Sequence, residues 1–133
     1  MLKCILIMFL STSLACLPSK KCPEPIGNIH VLNCESNGKR VQKLHQVLSR
    51  LELPATAFDD LTHIKKQLYR GCMRFNRCQY TETEYRMRRD KLLAILTLID
   101  NTLENLEPGV EKQEVREVLV YLLAQSRNKD LFP

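Results

Sequence analysis

The sequence predicts an all-α fold: a small, disulfide-braced four-helix bundle with short connections. Three observations predict it. Apolar residues recur at helical spacing in four separate stretches. Short connections, Leu53 to Ala57, Phe75 to Tyr80 and Glu107 to Gly109, divide those stretches. Four cysteines, Cys22, Cys34, Cys72 and Cys78, follow an N-terminal segment with the features of an export signal. The composition, 44% hydrophobic and 26% charged with only 4 Gly, suits a globular chain and argues against a disordered one.

Residues 1–19 read as a signal peptide. Lys3 gives the positive start, Ile5 to Leu10 the apolar run, and Ser11 to Ala15 the small-residue cleavage region. The apolar run is too short to span a bilayer as a helix. The expectation is therefore a secreted, extracellular protein with no membrane insertion, in a compartment where disulfides persist. Cleavage after Ala15 leaves five cysteines; cleavage after Ser19 leaves four, an even set. Four paired cysteines are expected, with Cys16 either removed or free for an intermolecular bond.

Residues 20–36 form an irregular N-terminal arm. Its Cys22 to Gly27 stretch is rich in Pro and Gly, and Ile29 to Leu32 suits a strand-like segment or a packed loop. Residues 37–133 are the helical bundle domain. The first helix starts near Asn37 as N-cap and carries Val41, Leu44, Leu48 and Leu51 on one stripe. Pro54 ends it. The second begins near Thr56, with Asp59 and Asp60 read as its first turn, where the helix dipole favours anions. Its buried line is Phe58, Leu61, Ile64, Leu68, Cys72 and Phe75, and Gly71 predicts fraying from about Arg74.

The third helix has the clearest start. Thr81-Glu82-Thr83-Glu84 has the form of a capping box. Tyr85, Leu92, Leu96, Ile99, Leu103 and Leu106 form its stripe, widened by Leu93, Ile95 and Leu98, up to Glu107-Pro108-Gly109. The fourth helix is expected from about Val110 to Arg127, closed by Asn128 and Lys129. Val115, Val118, Leu119, Leu122 and Leu123 form its apolar face, broadened by Val120 and Tyr121. Short connections make consecutive helices antiparallel neighbours.

The segment from Leu68 to Cys78, with its two cysteines at the end of a basic, leucine-bearing helix, resembles the fourth-helix end of interleukin-ten family cytokines. Leu61 to Leu68 resembles the body of that helix. The following amphipathic helix, the turn at Leu106-Glu107-Pro108 and the final apolar helix keep the same order, so the likeness covers about Cys34 to Lys129. The chain departs from the pattern in having no room for the family's first two helices between Cys22 and Cys34. It also has Leu119 where an Asp follows the Glu that Glu117 matches. The short-chain interleukin-four/thirteen group is similar in size and in the final helix, Val115 to Phe132. The interleukin-ten resemblance implies bridges from Cys22 to Cys72 and from Cys34 to Cys78; the spacing by itself permits three connectivities.

It also implies a secreted cytokine-like ligand that binds a cell-surface receptor to trigger signalling. The receptor-binding candidates are Lys65, Lys66, Arg70, Arg74 and Arg77 on the second helix and Glu117 and Tyr121 on the fourth. Two alternatives stand beside it: a secreted receptor antagonist or mimic, and a small extracellular carrier of a lipid or hydrophobic ligand, with the leucines of the third helix lining its void. A homodimer with exchanged helices is compatible with the wide apolar face of the fourth helix.

The basic residues, from Lys65 to Lys91, read either as solvated helix faces or as a patch for an acidic receptor surface or a glycosaminoglycan. Nucleic acid is not expected without aromatic residues set among the cations. No enzyme is expected: the chain has no nucleophile elbow, no Gly-rich phosphate loop and no recognisable carboxylate pair. No cofactor or metal is expected either. His30, His45 and His63 are scattered, and no Cys-x-x-Cys is present to build a tetrahedral zinc site. Asn76-Arg77-Cys78 is a rare form of the glycosylation sequon, and no obligatory glycan is expected there.

Overall fold

The computed structural model describes residues 18–127 and 129–133. Residues 1–17 of the predicted signal, with Cys16, and the closing residue Asn128 lie outside the described residues. The element order is β1 (Ser19–Lys21), β2 (Asn28–His30), α1 (Ser36–Leu48), a 3-10 turn (Ser49–Leu51), α2 (Ala55–Asn76), α3 (Glu82–Glu104) and α4 (Lys112–Ala124). The four helices form the expected disulfide-braced bundle. α2 lies at its centre, packed on α1, α3 and α4.

The arm differs from the irregular segment predicted. β1 and β2 pair antiparallel, Ser19 opposite His30 and Lys21 opposite Asn28. The turn between them is closed by the Cys22 amide donating to the Gly27 carbonyl at 2.9 Å, with Gly27 at a φ of 69°. Alternation puts Ile29 inward, where it is buried in the core. Val31 donates its amide to the Pro18 carbonyl, so the ordered hairpin includes Pro18 and Ser19.

α1 starts one residue before the predicted cap, and its start is held by Asn33. The Asn33 side chain accepts from the Glu35 amide at 3.0 Å, and its carbonyl accepts from the Ser36 hydroxyl. Val41, Leu44 and Leu48 are buried as the stripe requires. Glu52, at a φ of 54°, breaks the chain away before Pro54.

In α2, Asp59 and Asp60 lie beyond the first turn, and the helix does not fray at Arg74 but continues to Asn76. Its end is a Schellman motif: the Cys78 amide donates to the Phe75 carbonyl and the Gln79 amide to the Arg74 carbonyl, with Cys78 itself at a φ of 63°. Gly71 has a packing role there instead of a fraying one. A Cβ added to it would stand 2.5 Å from the Phe132 ring, so the missing side chain is the seat of that ring.

α3 opens with the predicted capping box, Thr81 and Glu84 bonding reciprocally. Leu92, Leu96 and Ile99 are fully buried, whereas Leu106 and Leu98 are exposed, Leu98 by 52%. One residue is a turn of about 100° on a helix, which carries Leu98 away from the face of Ile99.

α4 is shorter than predicted, because Val110 belongs to the turn at Gly109. At 13 residues it spans only part of the length of α2 (22 residues) and α3 (23 residues). The tail covers the rest. Phe132 is fully buried against Gly71, edge-on to Tyr80 and tilted on Tyr85.

Candidate functional site

The four cysteines are all bonded, but not as the resemblance implies. Cys22 pairs with Cys78 and Cys34 with Cys72, each pair with Cα atoms 5.5 Å apart. Helix geometry accounts for the exchange. Cys72 lies on the buried face of α2, where it meets the entry to α1 at Cys34. Cys78 is the left-handed residue of the Schellman turn, beyond the last residue of α2, where it meets Cys22 just after β1. Both bridges therefore tie the arm to one end of α2.

Asn76 completes that junction. Its side-chain oxygen accepts from the Leu32 amide at 2.9 Å, and its Nδ2 donates to the Leu32 carbonyl at 2.9 Å and to Cys34 Sγ at 3.3 Å. The side chain thus acts as a one-residue strand partner for the arm. Both N–H groups of the sequon amide are engaged, so a glycan on Nδ2 would displace at least one of these bonds.

The predicted basic residues divide by helix face. Lys65 lies over Gly38 on the α1 side. Lys66, Arg70 and Arg77 are exposed on an outer ridge, and Arg74 is half-buried beside it. From Leu61 to Thr81 there is no acidic residue. Arg70 donates one N–H to the Phe132 carbonyl at 3.2 Å. Lys20 of β1 donates to the Asn76 carbonyl, which sets a further cation beside Arg77.

The arginines of α3 are engaged within the molecule. Arg86 pairs with Glu82 and Arg89 with Asp90. Arg88 donates to the Leu131 carbonyl at 2.8 Å and lies over the Tyr80 ring. With Arg70 it fixes the tail, which Gln67 also grips by donating to Asp130 and accepting from the Phe132 amide.

Glu117 and Tyr121 lie elsewhere. They border an open groove of about 470 Å³ on α4, with Pro54, Val120, Ala124, Arg116 and Arg127 around it. Tyr121 is 66% exposed and Val118, on the same helix, 46%. Glu117 accepts from Gln113 at 2.9 Å. The groove is walled by Arg116, which donates to the Glu52 carbonyl, and by Arg127, which pairs with the buried Asp60 at 2.7 Å. That bond raises the pKa of the Arg127 guanidinium. The structure therefore separates the predicted receptor set: Glu117 and Tyr121 border the α4 groove, Lys66, Arg70, Arg74 and Arg77 follow the outer ridge of α2, and Lys65 lies on the α1 side.

Among the described residues the chemistry-bearing groups do not converge. Among the described residues no three His, Cys, Asp or Glu side chains come together as a metal site. His45 lies tilted against Phe58, with centroids 4.8 Å apart, and His30 is exposed. Burial raises the pKa of Tyr85, whose ring is stacked on Phe75. Two small clefts of about 230 and 260 Å³ lie between the arm and α3, and one of about 310 Å³ lies between α1 and α3. Among the described residues no helix is long and apolar enough to cross a membrane.

No family model matches this chain, and neither a curated protein nor a solved structure matches it significantly. The function must be argued from the surfaces themselves. Asn76, Phe132 and the Asp60–Arg127 pair were missed by sequence reasoning. The one local signal was Gly71, a glycine within a strong helical pattern, which can mark close packing as well as weakness.

Proposed function

We propose that the protein is a secreted, cytokine-like ligand that binds a cell-surface receptor through the exposed face of α4. The observation that carries the proposal is Tyr121. It is a large aromatic side chain standing 66% exposed on a rigid helix, at the rim of a groove with Glu117, Arg116 and Arg127 around it. Binding energy at protein interfaces concentrates on such aromatic and arginine anchors. The two disulfides suit an oxidising, extracellular setting. The proposal extends to the likeness with interleukin-ten family helices, on the order of the helices after Cys34.

The carrier alternative is less well supported. It needs the α3 leucines to line a void, yet Leu92 and Leu96 are fully buried members of the common core.

The test is saturable binding of the oxidised protein to responsive cells, with Tyr121→Ala beside the parent. The variant should weaken binding by about tenfold or more, with an unchanged unfolding midpoint. Equal binding by the variant, or no saturable binding by the parent, overturns the proposal. Saturable binding without receptor phosphorylation identifies an antagonist.

A further inference from the structure

We infer that the outer ridge of α2, extended by Lys20 of β1, is a binding site for a linear sulfated polysaccharide. The inference rests on the proposed extracellular location but not on receptor binding, which is placed on α4. Lys66 and Arg70 are exposed at positions i and i+4 of α2, and Arg77, the C-cap residue, at i+11, with Arg74 on their flank. At about 1.5 Å per residue they are strung along roughly 16 Å. The Lys20 ammonium, on the Asn76 carbonyl, continues the row past the helix end.

Among the described residues no ion pair compensates this row. No acidic residue occurs between Leu61 and Thr81. Among the described residues none of Lys20, Lys66, Arg70, Arg74 and Arg77 makes a salt bridge. The nearby carboxylate is Asp130, which accepts from Gln67, between Lys66 and Arg70 in sequence. A helix C-terminus favours cations in its last turn. That accounts for Arg74 and Arg77, but not for Lys66 a further two turns back, nor for Lys20 on another element. Arrayed like charges repel, and a chain of anionic groups laid along them relieves that repulsion and releases counterions.

The shape selects the ligand class. Four clefts of the described residues are lined by other side chains, and among the described residues these cations enclose none of them. The cations form a ridge, which suits an extended polyanion lying across it. The exposed aromatic of this helix, Tyr69, stands three residues after Lys66 and is a single side chain, so the ridge lacks the series of stacking platforms of a single-strand nucleic-acid site.

The test uses the full, disulfide-bonded protein and heparin as the probe, with affinity measured from low salt to about 150 mM NaCl. The ridge variant combines Lys20→Ser, Lys66→Ser and Arg77→Ser. The control combines Lys39→Ser, Lys43→Ser and Lys91→Ser, which removes the same charge elsewhere. The ridge variant should lose about tenfold or more in affinity and reduce the salt slope by about 2 to 3; the control should change less than about twofold. Equal losses in both variants would show that net charge alone is responsible and would overturn the site. So would absence of parent binding at the higher salt, equal binding to the unsulfated polysaccharide hyaluronan, or tighter binding to a single-stranded oligonucleotide of matched charge. If the triple variant does not fold, Lys66→Ser alone should lower the salt slope by about 1, and an unchanged slope overturns the site. Tyr121→Ala should leave heparin affinity unchanged, so the two surfaces fail or stand separately.

Discussion

Replacing Gly71 with alanine sets two effects of opposite sign against each other. In an unconstrained helix interior, alanine is favoured over glycine by about 1 kcal/mol. In this fold the new Cβ would stand 2.5 Å from Cε2 and Cζ of Phe132 and 2.6 Å from Cδ2. All three atoms belong to a rigid ring with no exposed surface, confined further by Tyr80 and Tyr85. The ring must leave its site. Losing a buried phenylalanine costs about 3–5 kcal/mol, and the tail bonds from Arg70, Arg88 and Gln67 go with it. Subtracting the propensity gain leaves a net destabilisation of about 2–4 kcal/mol. The assay is urea unfolding of the oxidised protein followed by far-ultraviolet circular dichroism. In a Phe132→Ala background the sign should reverse, because the obstacle is gone and only the gain of about 1 kcal/mol is left. Stabilisation by Gly71→Ala in the parent would refute the seating of the tail on α2.

Three further outcomes follow from the local geometry. Asn76→Ala strips both backbone partners from Leu32 and should cost about 1–3 kcal/mol, with faster amide exchange at Leu32; unchanged exchange there would show that the side chain does not hold the arm. Thr81→Ala should cost about 1 kcal/mol as a lost cap, measured by thermal unfolding. In the parent, the Thr81 backbone N–H and then its hydroxyl bond the Glu84 carboxylate and hold its pKa below the ordinary 4.5. A depressed carboxylate stabilises the fold above its unfolded pKa, and that contribution is lost as pH falls through the lower folded value. Carbon-detected titration of Thr81→Ala should show the Glu84 pKa rising only part of the way back, since the backbone donor persists. Finally, Arg127→Ala should destabilise more than Asp60→Asn. The first leaves a carboxylate that is only 7% exposed without its partner, while the second leaves a guanidinium, 48% exposed, that can turn to water. Equal unfolding midpoints in the two variants would refute this asymmetry.

What the sequence determined by itself is local. The stripes of α1 to α3, the capping box at Thr81 and the breaks at Pro54 and Pro108-Gly109 depend on residues within one or two helical turns, so periodicity and turn chemistry reveal them. The bundle follows, because four amphipathic helices joined by short turns must bury their stripes on one another. Tertiary structure decided whatever joins residues distant in the chain. The cysteine pairing depends on which face of α2 carries Cys72 and on the left-handed turn at Cys78, and equal loop options leave it open until the arm is placed. Phe132 reaches Gly71 only because α4 stops short of the α2–α3 pair. The predicted receptor residues separate because Lys66 and Tyr121 belong to helices whose relative position no sequence spacing encodes. Local patterns report a residue's neighbours along the chain, whereas a surface is made by neighbours in space.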